Sequence, residues 1–344
     1  MVDIKTVALL AGASISTVSR CLNNKSVSPA AEQRIRAAIK ELSYSPNRVA
    51  RSLRSQKTMT LGMVIPDITN PFFPAVVSGV EQTVRAAHFA LVLFHAGEDE
   101  DREWECLRVL QALRCDGILL VMAPAGLNHA RRRKQFQQLG LPIVYVDRAP
   151  DFEADIVVAD NLHSSEDAVR HLLALRHQRI GLVSADLDVS VHRDRVEGYR
   201  RAMCAAGFPP SPDLQVSAEP TVADGYSATT QLLSLPDRPT ALFVTNDRLA
   251  MGAMTAVEAQ GLRCPEDISI VGYDNYEWHD VYHPKMTTVA QPTHLMGVRA
   301  AELLVRRIAE TQAGAPQHML LKSTLVIRES TGLCPLPDRS APSQ

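Results

Sequence analysis

Two textures divide the chain. In the first 46 residues apolar positions recur at helical spacing, in short blocks separated by turn residues. Thr6 to Ala11 reads as a helix with Val7 and Leu10 turned inward. Gly12 follows, where the chain must reverse without a Cβ clash. Ser14 is suited to cap a second helix running to about Leu22, and Asn23-Asn24 breaks the pattern. Ser28-Pro29 pairs a capping residue with proline at the first helical position. The third helix places Ile35, Ile39 and Leu42 on one face and stops at Ser45-Pro46. Two helices joined by a glycine turn and braced by a third form a helix-turn-helix layout.

From Thr60 onward, β-rich runs alternate with helical stretches. Leu61–Ile65, Ala90–Phe94, Gly117–Val121, Ile143–Val146, Ile156–Ala159, Ile180–Ser184, Ala241–Thr245 and Ile268–Gly272 read as buried strands. Helical patterns between most of them predict parallel sheets covered on both faces. The string TLGMVI from Thr60 is echoed by RIGLVS from Arg179, and each leads through a polar loop into a long helix. Two similar α/β subdomains with a cleft between their strand ends follow. Residues 47–57, NRVARSLRSQK, form a basic stretch too short to hold a helix alone. It reads as a linker that folds on binding.

Charge changes the picture more than composition does. The 344 residues carry 36 Lys and Arg against 38 Asp and Glu, a balance that on average disfavours a polyanionic partner. The first 60 residues, however, hold ten basic and three acidic side chains, a balance of +7. The rest holds 26 basic and 35 acidic, a balance of −9. A basic arm on an acidic body fits a phosphate-binding footprint, against the alternative of a merely solvated basic face. The six cysteines are scattered without a CxxC pair, which excludes a disulfide scaffold and a zinc finger. With no signal segment or membrane span legible, a reduced, cytoplasmic protein is expected. The GASIS string lacks the second glycine of a nucleophile elbow and follows a helix. No GxGxxG, phosphate loop or HExxH is present, so neither enzyme activity nor a cofactor or metal is expected.

DIKTVALLAGASISTVSRCLNN and VSPAAEQRIRAAIKELSYSPNRVARSLRS resemble the headpiece of the LacI/GalR family of bacterial transcription regulators. LGMVIPDITNPFF, YVDR, VVADN, RHQRIGLVS, RDRVEGYRRAM, FVTNDRLAMGAM, DISIVGYDN, TTVAQP and LVIREST follow in that family's order. The likeness spans about residues 3 to 332. Two positions depart from it: Arg176 stands where glycine is usual, and Cys21 where valine is common. The resemblance implies an all-α helix-turn-helix headpiece over 1–46 and a hinge helix and linker over 47–59. It implies an α/β periplasmic-binding-protein-like core over 60–332, built of two doubly wound parallel-sheet subdomains. Subdomain one takes about 60–161 plus 292–320, subdomain two about 162–291 plus 321–332, and 333–344 reads as a flexible tail. A homodimer reading pseudo-palindromic operator DNA is expected, with no membrane partner.

On the DNA side, the resemblance places Ile15 and Ser16 at positions that vary with operator sequence. Arg20, one turn on, reads guanine or contacts phosphate. Ser14 and Thr17 cap the helix or contact phosphate. Asn47, Arg48, Ala50 and Arg51 fall in the hinge segment, where Leu53 would wedge into the minor groove or pack within its own subunit. On the effector side, the loops after the strands supply Asp67, Phe72, Phe73, Asp147, Arg148, Asn246, Asp274 and Gln291, and Arg193 and Arg195 flank the start of the RVEGY helix. Asp160 and Asp247 serve either the cleft or a helix start, and Tyr226 and Trp278 are further candidates for stacking. Carboxylates, amides and arginines beside aromatic rings suit a polyhydroxylated ring, and paired arginines would also suit a sugar acid. The expected function is an effector-controlled repressor, with a solute-binding protein of the same core as the rival reading.

Overall fold

The computed structural model describes residues 3–22, 26–44, 57–124, 129–185, 188–310 and 314–335. The chain forms two compact units, Met1–Met59 and Thr60–Gln344. The hinge candidates Asn47, Arg48, Ala50, Arg51 and Leu53 lie outside the described residues, as do positions 336–344.

The first unit holds α1 (Ile4–Leu10), α2 (Ile15–Leu22) and α3 (Pro29–Glu41). Asp3 caps α1 by accepting from the Thr6 amide at 2.9 Å, which starts that helix two residues earlier than the sequence pattern suggests. Gly12, in the turn between α1 and α2, takes a φ of +57°, a conformation that glycine adopts without a Cβ clash. Ser14 Oγ accepts from the Thr17 amide at 3.1 Å and so caps α2. Val7, Ala8, Ala11, Val18, Cys21, Ile35 and Ala38 close a small core, with Ile39 and Leu42 at its edge. Cys21 is therefore a buried apolar element. The Arg34 guanidinium donates to the Ala11 carbonyl at 3.0 Å and ties α3 to the turn.

The second unit carries two six-stranded sheets. In the first, the order is β2 (Ala90–His95), β1 (Thr60–Ile65), β3 (Gly117–Leu120), β4 (Ile143–Val146), β5 (Asp155–Ala159) and β11 (His318–Leu321), all parallel. In the second, the order is β7 (Gln215–Ser217), β6 (Ile180–Ser184), β8 (Ala241–Val244), β9 (Ser269–Tyr273), β10 (Thr287–Ala290) and β12 (Thr324–Val326). Only β12 runs antiparallel there. The echoing strings at Thr60 and Arg179 are thus equivalent strands of two like subdomains. Strands β7, β10, β11 and β12 went unread in the sequence: they have three or four residues each, and β7, β11 and β12 sit at sheet edges with polar alternate positions.

Each sheet is covered on both faces. On the first sheet, α4 (Phe72–Ala86) and α12 (Thr293–Ala309) bury Phe72, Phe73, Val76, Met296 and Ala300 on one side, and α5 (Glu100–Ala112) and α6 (His129–Leu139) bury Leu107, Leu110, Phe136 and Leu139 on the other. On the second sheet, α7 (Asn161–Ala174) and α8 (Ser190–Ala205) oppose α9 (Val222–Leu233) and α10 (Asp247–Ala259). A short α11 (Trp278–Val281) lies between β9 and β10. Helices α4 and α12 touch backbone to backbone: a Cβ on Gly297 would stand 2.0 Å from the Val76 carbonyl oxygen.

The chain passes between the sheets three times, after β5, after β10, and from β11 to β12. Strands β5 and β11 are neighbours in one sheet, and β10 and β12 in the other, so all three crossings leave from one side. The start of the tail is tied down: Cys334 N donates to the Leu175 carbonyl at 2.8 Å. Arg176 sits at φ +70°, the left-handed conformation that explains why glycine is usual there. Among the described residues no helix is long and apolar enough to cross a membrane.

Candidate functional site

In doubly wound sheets, ligands sit beyond the carboxyl ends of the strands, where strand order reverses. Those points are β1/β3 in the first sheet and β6/β8 in the second, and a cavity of about 320 Å³ lies between them. That volume is near the lower end of small-molecule sites. Asp67, Phe72, Phe73, Asp147, Arg148, Arg195, Asn246, Asp274 and Gln291 all line it.

Five of the sequence-derived candidates lie outside the cavity: Arg193, Tyr226, Trp278, Asp160 and Asp247. Arg193 is exposed and does not line the cavity, whereas His192 does. On a helix the side chains of 192 and 195 share a face, and 193 points about 100° away. Tyr226 is 38% exposed and outside the cavity. Trp278 stacks on the His279 ring, centroids 3.7 Å apart, and is also outside. Asp160 caps α7, accepting from the His163 amide at 3.1 Å. Asn246, not Asp247, caps α10, with Oδ1 accepting from the amides of Arg248 and Leu249.

Each arginine of the cavity is held by protein groups. Arg195 is 3% exposed; its Nε donates to Asn161 Oδ1 and its Nη1 to the Thr245 carbonyl, both at 2.8 Å. Its guanidinium lies 3.7 Å above the Tyr273 ring. Arg148 makes a two-pronged pair with Glu98, at 2.5 and 2.7 Å, and donates to the Met122 carbonyl at 2.8 Å. Arg248, on α10, reaches across to Asp67 Oδ2 at 3.1 Å and Thr69 Oγ1 at 2.9 Å.

The carboxylates are less well served. Asp147 follows β4 and Asp274 follows β9, equivalent strands of the two sheets, and both adopt positive φ, +66° and +71°. Each is 5% exposed. Burial pushes the Asp147 carboxyl up to about 6, with Arg148 and Arg195 opposing. Burial also raises Asp274, although Arg195 and a hydrogen bond from Gln291 Nε2 at 2.5 Å act against it. Burial raises Asp67 too, but the Thr69 hydroxyl and amide with Arg248 outweigh it and leave the carboxyl below its ordinary value. His192 is held neutral by burial, then by Arg195 and Arg148. Gln291 Oε1, Arg148 Nε and His192 Nδ1 are buried without a protein hydrogen-bond partner. These atoms and the two carboxylates present acceptors and donors around Phe72 and Phe73, whose rings meet edge to face at 5.1 Å.

Several lining residues escaped the sequence reading: Pro66, Asn70, His95, Gly97, Glu98, Val191, His192, Glu219, Pro220, Thr221 and Arg248. His95 ends β2, Gly97 and Glu98 follow it, and Glu219 to Thr221 follow β7, so the rule that found Asp67 applies to them equally.

In the first unit, Ser14, Ile15, Ser16 and Arg20 are exposed on α2, while Thr17 is half-buried and Val18 buried. Ser14 Oγ is shared with Ser16 Oγ and Thr17 Oγ1, and Arg20 Nη2 donates to the Ser26 carbonyl at 2.9 Å. The exposed face is short, polar and cationic, with one apolar group.

Known proteins share this arrangement. The model described as bacterial regulatory proteins, lacI family, matches residues 3–47, and a periplasmic binding protein-like domain matches 169–331. The ribose operon repressor of Escherichia coli strain K12 is 37% identical over 332 residues, spanning 96% of this chain and 99% of that protein. This chain belongs to the LacI family. The Lac repressor dimer bound to operator and the anti-inducer ONPF resembles this LacI-family chain with a TM-score of 0.85 at 26% identity, over 96% of this chain and 99% of that one. A LacI family transcriptional regulator from Enterococcus faecium, with bound ribose, matches with a TM-score of 0.70 at 30% identity, covering 80% and 99%. The LacI-family chain is a DNA-binding transcriptional regulator, with the helix-turn-helix in its first unit and an effector-binding core in its second.

Proposed function

We propose that this regulator is a cytoplasmic, non-enzymatic repressor that binds pseudo-palindromic operator DNA as a homodimer and is controlled by a sugar-class effector. The observation that carries this reading is the cavity between the subdomains. It sets buried carboxylates, amides and unpartnered donors and acceptors around two aromatic rings, the chemistry a polyol requires. A repressor of a ribose operon and a regulator with bound ribose as relatives support the same class. The exposed Ser14, Ile15, Ser16 and Arg20, with the half-buried Thr17, form the groove-reading face, and Asn47, Arg48, Ala50, Arg51 and Leu53 the hinge contacts. A solute-binding role is disfavoured by the headpiece on the same chain.

The effector acts by differential affinity. A sugar that binds one angle between the subdomains more tightly shifts the population toward it, and operator affinity changes by that difference alone. The test is fluorescence anisotropy with DNA from the regions flanking the protein's own gene, with and without a panel of sugars. Sequence-specific binding that weakens steeply with salt and changes with one sugar is expected. Binding that ignores every sugar, or no specific binding at all, refutes the reading.

A further inference from the structure

From the sequence, Arg193 and Arg195 at one helix start look like a paired receptor for a carboxylate. Their geometry says otherwise. An anionic ligand is drawn to a guanidinium whose charge is not already matched by a carboxylate. Arg148 spends both terminal nitrogens on Glu98 and one of them also on Met122 O, leaving only Nε. Arg195 gives Nε to Asn161 Oδ1 and Nη1 to Thr245 O, stacks on Tyr273, and lies near the carboxyls of Asp147 and Asp274. Arg248 gives one nitrogen, Nη2, to both Asp67 Oδ2 and Thr69 Oγ1, and its charge is matched by the Asp67 carboxylate. Against these three guanidinium groups the cavity wall carries five carboxyl groups: Asp67, Glu98, Asp147, Glu219 and Asp274. A ligand carboxylate placed here meets like charge from Asp147 and Asp274, each 5% exposed, and buried charges are screened least.

We propose that the Glu98–Arg148 and Asp67–Arg248 pairs set the charge selectivity of the cavity, so that it takes an uncharged polyhydroxyl ligand and rejects the matching sugar acid. This rests on the sugar reading above and sharpens it. Asp67 is the adjustable element. It stands in the loop after β1, in subdomain one, and its partner Arg248 stands on α10, in subdomain two. Both side chains are partly exposed, 25% and 33%, so the pair can be altered without opening the core. Asp67→Asn keeps an oxygen for the Thr69 amide, removes one negative charge and loosens the hold on Arg248. Both electrostatic changes favour an anion.

The experiment is isothermal titration of the full chain with matched probes: D-ribose and D-ribonate, D-xylose and D-xylonate, D-glucose and D-glucuronate, D-galactose and D-galacturonate. The wild type is expected to bind the neutral member of a pair at least tenfold more tightly than its acid. Asp67→Asn narrows that ratio about tenfold, and Asp67→Glu, which retains the pair, keeps it. An acid that binds the wild type as well as its neutral partner overturns the selectivity and leaves the sugar reading standing. So does an unchanged ratio in Asp67→Asn. Failure of every probe overturns the sugar reading and this inference with it. The wild-type comparison decides the matter even should the variant not fold.

Discussion

Removing the charge of Arg195 is the most informative single perturbation of the core. The side chain is 3% exposed, makes two 2.8 Å bonds to Asn161 Oδ1 and Thr245 O, and stacks 3.7 Å above Tyr273. Hydrogen bonds to a charged group contribute about 1.5–3 kcal/mol each. A desolvated cation over an aromatic face adds about 2 kcal/mol. The gross loss in Arg195→Met is therefore about 5–8 kcal/mol. Relief from burying an ion offsets part of it, and breaking a buried charge arrangement leaves about 3–5 kcal/mol. Arg195→Lys keeps the charge but loses the planar stack and one bond, for about 2 kcal/mol. At about 2–4 °C per kcal/mol, the methionine variant melts roughly 10 °C lower. The assay is thermal and urea unfolding of the effector-free protein at several pH values. Arg195 also favours the charged forms of Asp147 and Asp274. Its loss raises both carboxyls further, and stability held by a raised carboxyl is lost as pH rises. The deficit of Arg195→Met must accordingly be larger at pH 8 than at pH 5. A deficit below about 1 kcal/mol, or lysine and methionine variants of equal cost, would refute the account.

Two further outcomes follow from geometry already described. Arg176→Gly relieves a left-handed backbone and should raise the unfolding free energy by about 0.5–1 kcal/mol, and an unchanged denaturation midpoint would show that no strain resides there. An effector hydroxyl donating to Asp147 favours its charged form, so binding near pH 6 should release a proton and tighten as pH rises from 5 to 7. Calorimetry in two buffers of different ionisation enthalpy measures that proton, and Asp147→Asn should abolish it.

The sheets were legible because parallel strands buried on both faces read as runs of Val, Ile and Leu, and the cavity because ligands gather at the ends of such strands. Edge strands β7, β11 and β12 were not, since half of each faces solvent. The differences at the cavity have two physical origins, helix phase and distant pairing. Arg193 and His192 are adjacent in sequence, and only the phase of α8 decides which faces the cavity. Arg148 and Arg195 were identified as cavity residues, yet the partners that consume their donors, Glu98 after β2 and Asn161 at the start of α7, lie 50 and 34 positions away in sequence. Pairings at such separations carry no local signature, so the sequence shows the arginines and not the groups that hold them.

The three crossings between the sheets restrict what the cavity can signal. One covalent tether would let the two halves swivel and twist about several axes. Three tethers leaving neighbouring strands on one side act like the pins of a door hinge. Twist and translation would stretch at least one of them, and a single bending coordinate remains soft. A ligand that fills the gap therefore writes its occupancy into one angle, and nothing about its orientation survives beyond that number. Different molecules that set the same angle would give the operator the same message.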